Sequence, residues 1–279
     1  MAKRNLPKLM SIGQTLLRYS VVMFTSLWLT SPAWADAAGD ELAQHVYARP
    51  DGKDATSALT MTLTEKGRDP RVRKIILYRL DGKAGEMATL IRFTEPADIA
   101  GTGLLTLDIH DGESSQWIYL PAMERVRRID SNRKGGRFVN SDYYFEDLRD
   151  RKVAMDTHRI IGRETVSGVA CEMLESIPAK PGNSVYAKRI SWVDPATMIP
   201  MRVDFFEKQE DKPSKRFLVT KREKIQSYWT VMDSTLTDLG NEHQTRLTVE
   251  KILYDRRLPA RLFTTQVLED ESAEGSYRP

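Results

Sequence analysis

The chain has 279 residues, with 42 Lys and Arg against 39 Asp and Glu, a formal charge of +3. Four of the basic residues and none of the acids fall in the first 35 positions, so the remainder stands at 38 against 39, or −1. A nearly neutral body argues against nucleic acid as a partner, because that affinity rests on neutralising phosphates, and the single cysteine, Cys171, excludes an internal disulfide.

Residues 1–35 read as a secretory leader. Lys3, Arg4, Lys8 and Arg18 are followed by an apolar run over residues 21–30, and Ala33-Trp34-Ala35 fits the small-x-small cleavage rule. The run is too short for a membrane-spanning helix, which needs about 20 residues. The expectation is cleavage after Ala35, export, and a single domain over residues 36–279. Asp36, not Cys, follows the cut, so no lipid anchor is signalled.

Residues 40–49 place Leu42, Ala43 and Val46 on one face of a short helix that Pro50 stops. From there the pattern turns to period two. Leu59, Met61 and Leu63 alternate with threonines. Residues 73–80, with Ile75 and Leu77, and 87–93, with Ile91 and Phe93, read as the next strands. After a break at 94–103 come residues 104–109, with Leu105 and Leu107, and 116–120, with Trp117 and Tyr119. Trp117 and Tyr119 share one strand face and Ile118 and Leu120 the other.

Arg125, Arg127 and Arg128 follow Pro121, and residues 141–150 break the strand pattern with an acidic, aromatic stretch that Ser141 or Asp142 could cap as a short helix. Strands resume at 158–166, 170–178, 187–208 (a hairpin turning at Asp194-Pro195), 215–225, 228–239, 243–255 and 262–269. Roughly a dozen strands joined by short Gly- and Asp-rich turns predict a mainly β fold with antiparallel pairing. No intervening helix is long enough for parallel crossovers. So large a sheet must curl, with the few short helices covering its concave face.

Signs of catalysis are absent from the sequence pattern. His45, His110, His158 and His243 show no metal-ligand spacing. There is no nucleophile elbow, phosphate loop or dinucleotide fingerprint. Glu146 and Asp147 are sequence neighbours, which do not face each other on a helix. No cofactor is expected. Cys171 reads as a buried structural thiol.

Four stretches in order carry a resemblance: WIYLPAMERVRRI (117–129), NSDYYFEDL (140–148), SWVDPATMIPMRVDFF (191–206) and LTVEKILYDRRLPARLFTTQVLE (247–269). Together they resemble the LolA-like outer-membrane lipoprotein-sorting proteins, and within them the stand-alone periplasmic branch associated with RND/MMPL-type exporters. The resemblance implies a LolA/LolB-like incomplete barrel with helices as a lid over an apolar cavity. It also implies carriage of lipid or lipoprotein acyl chains between an inner-membrane exporter and an outer-membrane acceptor, not chemistry. On this reading Leu59, Met61, Leu63, Ile75, Leu77, Ile91, Phe93, Leu105, Leu107, Trp117 and Tyr119 line the cavity. Arg125, Arg127 and Arg128 sit at its rim beside Asp142, Tyr144, Glu146 and Asp147, where they hold the lid shut by ion pairs with the acids, meet a headgroup or an exporter surface, or serve only as scaffold. An envelope sensor of the same fold and an envelope hydrolase are the competing readings.

Overall fold

A computed structural model describes residues 34–82, 86–108, 114–130, 133–207 and 211–279. The expected leader lies outside these residues up to its last two positions, as does His110. The element order is α1 (Trp34–Tyr47), β1 (Asp54–Thr64), β2 (Arg71–Asp81), β3 (Met87–Glu95), β4 (Gly103–Asp108), β5 (Ser114–Leu120) and β6 (Arg125–Ile129). After a linking segment come β7 (Asp156–Val166), β8 (Val169–Pro178), β9 (Lys188–Asp194), β10 (Ile199–Phe206), β11 (Lys215–Ile225), β12 (Tyr228–Asp238), β13 (His243–Tyr254) and α2 (Thr265–Glu269).

All thirteen strands form one antiparallel sheet in the order β6-β5-β4-β3-β2-β1-β13-β12-β11-β10-β9-β8-β7. It is not closed into a barrel: β6 and β7, consecutive in the chain, are its two free edges. Residues 130–155 therefore run as a strap from one edge to the other.

The strap defines the concave face. Within its short 3-10 turn, Phe145–Leu148, the Phe145 carbonyl accepts from Gln116 of β5 at 3.0 Å. The adjacent Glu146 carboxylate accepts from the Val185 N–H at 2.7 Å, and Val185 leads into β9. Those strands stand nine apart in the sheet order. In a flat sheet that is about 43 Å at the usual strand spacing. Two neighbouring residues can touch both only if the sheet wraps around them.

Helix α1 packs on the strap side of β7 and β8, burying Leu42 and Ala43 against Leu174 and Val193. Gly39 makes this approach possible. A Cβ there would lie 2.6 Å from the His158 carbonyl. As expected from the sequence, residues 96–101 form a turn and bury Ile99 in the concave core with Met61, Leu63, Phe93 and Phe138.

The opposite face has a cover that the sequence reading did not foresee. Residues 262–269 are not a strand. Ala260–Leu262 is a 3-10 turn, and Thr264 then caps α2, its hydroxyl accepting from the Val267 N–H at 3.3 Å. Leu262, Phe263, Val267 and Leu268 bury Tyr78, Leu90 and Leu105 of the sheet. Asp54 fixes the approach of this segment by accepting from the backbone N–H groups of Arg256 at 2.7 Å and Arg257 at 2.9 Å. Arg92 completes it. Its side chain is 1% exposed and donates to Glu274 at 2.7 Å and to the carbonyls of Val267, Leu268 and Gly101.

Removing one member of a buried pair strands the other charge, which costs about 3–5 kcal/mol. Glu274→Ala should therefore lower unfolding stability by about 3 kcal/mol or more. Urea unfolding checks this, and a loss under about 1 kcal/mol would mean that Arg92 is held by its carbonyl partners alone.

Candidate functional site

Between the strap and the sheet lies a cavity of about 280 Å³. Its floor is Leu59 and Met61 of β1, Ile75 and Leu77 of β2, Met87, Thr89 and Ile91 of β3, and Leu247 of β13. Its roof is Phe138, Tyr143, Leu148, Arg149 and Asp150 of the strap. Strand periodicity builds the floor. Leu59 pairs with Ile75 and Ile75 with Phe93, while Leu77 pairs with Ile91 and Ile91 with Leu104, so one apolar row follows another on the same face. The next row, Thr89–Thr106–Gln116, is polar.

Of the eleven residues expected to line a cavity, the structure places Leu59, Met61, Ile75, Leu77 and Ile91 around this one. Leu63 and Phe93 are buried in the core beside it. Leu105, Leu107, Trp117 and Tyr119 lie on the other face, packed on the C-terminal segment or beside it. Cross-strand pairing decides this: Leu90 pairs with Leu105 and Leu105 with Trp117, one residue out of step with the row that carries Ile91, Leu104 and Ile118. Met87, Thr89, Leu247 and the roof residues Phe138, Tyr143, Leu148, Arg149 and Asp150 were not singled out as cavity residues. Met87 and Thr89 were visible in the alternation of β3, whereas the roof positions lack any periodic signal.

The strap is held by polar contacts. Arg73 donates to the Val139 carbonyl at 2.6 Å. The Asp142 carboxylate is wholly buried and accepts from Thr245 Oγ1 at 2.7 Å, with His243 Nδ1 at 2.7 Å and Arg137 at 3.5 Å. Lys215 donates to the Asp142 carbonyl at 2.8 Å and to the Tyr186 hydroxyl at 3.1 Å. Its ammonium lies 2.8 Å from the centre of the Tyr144 ring and 3.6 Å from Asp147. Asp147 in turn accepts from the Tyr144 N–H at 2.7 Å and the Tyr186 hydroxyl at 2.8 Å. Tyr144, not Ser141 or Asp142, therefore stands at the start of the short turn. Asp150 accepts from Tyr47 of α1 at 2.6 Å and from Lys152 at 2.5 Å.

These partners remove one of the roles open to the arginine cluster, ion pairing with the strap's acids. Among the described residues Arg125, Arg127 and Arg128 make no ion pair with Asp142, Glu146 or Asp147, which are taken by His243, Arg137, Arg151 and Lys215. The three arginines are exposed on the edge strand β6. Arg128 lies over the Trp117 ring and donates to Ser115 at 3.0 Å. The arginine that reaches the cavity is Arg149.

Burial pulls the Lys215 ammonium down from 10.5 to about 8, against the attraction of Asp147, Glu207 and Asp142. Burial likewise pushes the Asp147 carboxyl up, opposed by Lys215, and pulls the Arg149 guanidinium down. Cys171 is buried, its thiol pushed up by the same cause. No group of three His, Cys, Asp or Glu among the described residues is placed to hold a metal ion.

A protein-family model described as an uncharacterized protein matches residues 85–270. None of the curated proteins matches the chain. A DUF1329 family protein from Desulfovibrio piger superposes with a TM-score of 0.79 at 28% identity, covering 84% of this chain and 99% of its own. A domain from Vibrio parahaemolyticus described as outer membrane lipoprotein-sorting gives 0.78 at 27%, covering 84% and 99%. The chain belongs to the family that the matching model describes. A LolA superfamily protein from Nitrosomonas europaea shares the LolA-like fold alone, with a TM-score of 0.63 at 16% identity over 82% of this chain and 97% of that one.

In this LolA-like sheet the Lys215 cluster carries a pH signature. Below about pH 8 Lys215 is charged in both the folded and the unfolded chain, and its burial cost is fully present. Between about 8 and 10.5 the unfolded chain binds the proton more tightly, so this group makes stability rise with pH. Lys215→Met lacks that contribution. The stability difference between wild type and variant should shift towards the wild type across this range in urea titrations. A difference that stays flat would remove the charge of Lys215 from the strap's anchorage.

Proposed function

We propose that the protein binds an acyl chain of a lipid or lipoprotein under the strap and carries it through the periplasm towards the outer membrane. The observation that carries this reading is the apolar cavity, floored by Leu59, Met61, Ile75, Leu77, Ile91 and Leu247 in a LolA-like sheet. An acyl chain exposed to water costs about 0.8 kcal/mol per methylene, so aqueous transfer needs a dry enclosure. Met61 and Met87 supply lining that adapts to more than one chain shape. The volume is just below the usual range for small-molecule sites, about 300–1,000 Å³, and suits part of one chain better than a bundle of chains.

The same reading takes residues 1–35 as a cleaved leader and residues 36–279 as the carrier. Among the described residues no helix is long and apolar enough to cross a membrane. The motif resemblance supports an inner-membrane RND/MMPL-type exporter as donor. Carriage requires no reaction at the site, and the Lys215–Asp147–Tyr186 group is spent on anchoring the strap.

Native mass spectrometry with lipid extraction of the protein purified from its own periplasm tests the reading. An acylated ligand should co-purify, and repeated isolation of the bare protein under gentle conditions would count against it. Leu59→Trp fills the cavity and should lower acyl-chain binding by about tenfold or more, since each displaced methylene removes about 0.8 kcal/mol. Trp117→Gln, on the opposite face, should leave binding unchanged at matched folding by circular dichroism. The reverse pattern would move the site to that face.

A further inference from the structure

We infer that the cavity selects amphiphiles with an anionic head, a carboxylate or a phosphate, through the guanidinium of Arg149. This rests on the carrier reading for the tail and adds a polar end to it.

Arg149 lines the cavity and is held from behind. It donates Nε–H to Gln116 Oε1 at 2.9 Å. Gln116 is wholly buried, and its amide nitrogen donates to Thr106 Oγ1 at 3.2 Å and to the Phe145 carbonyl at 3.0 Å. Both amide protons being used, the amide oxygen faces Arg149 and fixes the guanidinium plane. Among the described residues the two terminal nitrogens of Arg149 have no hydrogen-bond partner. Arg149 thus borders a space otherwise lined largely by aliphatic groups, and its outer donors are available to a ligand there.

The nearby acids do not occupy those donors. Asp108 and Glu146 are close enough to act on Arg149 through charge. Asp108, however, accepts from the Ser114 hydroxyl and from the Asp150 N–H at 3.1 Å. Glu146 accepts from Ser184 and Val185 and lies 3.6 Å from Arg151. Asp150, which also lines the cavity, is taken by Tyr47 and Lys152. The planar fork of an arginine matches an oxyanion through two parallel bonds. A head bound there would sit against the polar row Thr89–Thr106–Gln116, and its tail would enter the apolar row of Leu77 and Ile91. A lipid with an uncharged head fills the same apolar space but leaves the outer donors of the guanidinium without an oxyanion to bind.

The test is calorimetric titration of the mature protein at pH 7.5 with dodecanoate, dodecyl phosphate, 1-dodecanol and inorganic phosphate, each amphiphile below its micelle concentration. Both anionic amphiphiles should bind about tenfold or more tightly than the alcohol. Inorganic phosphate alone should bind at least about a hundredfold more weakly than either, since the tail supplies most of the affinity. Arg149→Met should reduce the anionic ligands to the level of dodecanol without weakening dodecanol itself, and Arg149→Lys should recover part of the preference. Equal binding of dodecanoate and dodecanol by the wild type would overturn head recognition while leaving the carrier reading in place. Binding of no amphiphile would overturn both. Phosphate binding as tight as that of dodecanoate would replace the amphiphile site by a simple anion site. The wild-type comparison decides the matter even if a variant fails to fold.

Discussion

The strap governs this molecule. The segment between β6 and β7 has to join the two opposite edges of a thirteen-stranded sheet. Two neighbouring residues of that segment, Phe145 and Glu146, reach β5 and the approach to β9, which a flat sheet would hold about 43 Å apart. Curl, concavity and the enclosed space follow from that connection. The short 3-10 turn that touches β5 on one side and the approach to β9 on the other is where the constraint is met.

How the strap is attached explains how a cavity can persist beneath it. Its anchors on the β9–β13 side are polar: Lys215, Tyr186, His243 and Thr245 meet the backbone and acids of residues 142–147. On the other side Phe138 packs between Phe93 and Phe145, and Arg73 holds the Val139 carbonyl. Because hydrogen bonds and ion pairs fix the roof, the aliphatic rows of β1–β3 need not close onto it. Collapse of the apolar surface would otherwise be the favoured outcome. Charges placed this deep have a cost, visible in the lowered Lys215 and the raised Asp147.

Alternating hydrophobicity made most of the strands legible, because a half-buried strand repeats every two residues whatever its neighbours are. It could not say which of the two faces was concave. That depends on pairing register, which is set by distant chain segments. Trp117 and Tyr119 were on a strand as expected and yet on the other side of the sheet, since their row follows Leu90 and Leu105, not Ile91 and Leu104. The C-terminal helix was misread because residues 262–269 mix β-branched threonines with apolar residues, and only the Thr264 cap and the packing against Tyr78 resolve them. Arg149 carries no signal of its own in the sequence, where it simply follows the acidic run. Its meaning depends on Gln116, thirty-three residues earlier.

The centre of the sheet is a seam. β1 pairs with β13 along nearly its whole length, joining residues 55–64 to residues 244–254. The first six strands form one half and the last seven the other, and the N-terminal half also awaits the segment that follows β13 to cover its outer face. A chain that emerges N-terminus first therefore presents a half-sheet with an unpaired edge and a bare apolar surface until its last thirty or so residues arrive. The molecule can become a single cooperative unit only after synthesis is complete. Until then the nascent half offers a natural hold for whatever guards unfolded chains.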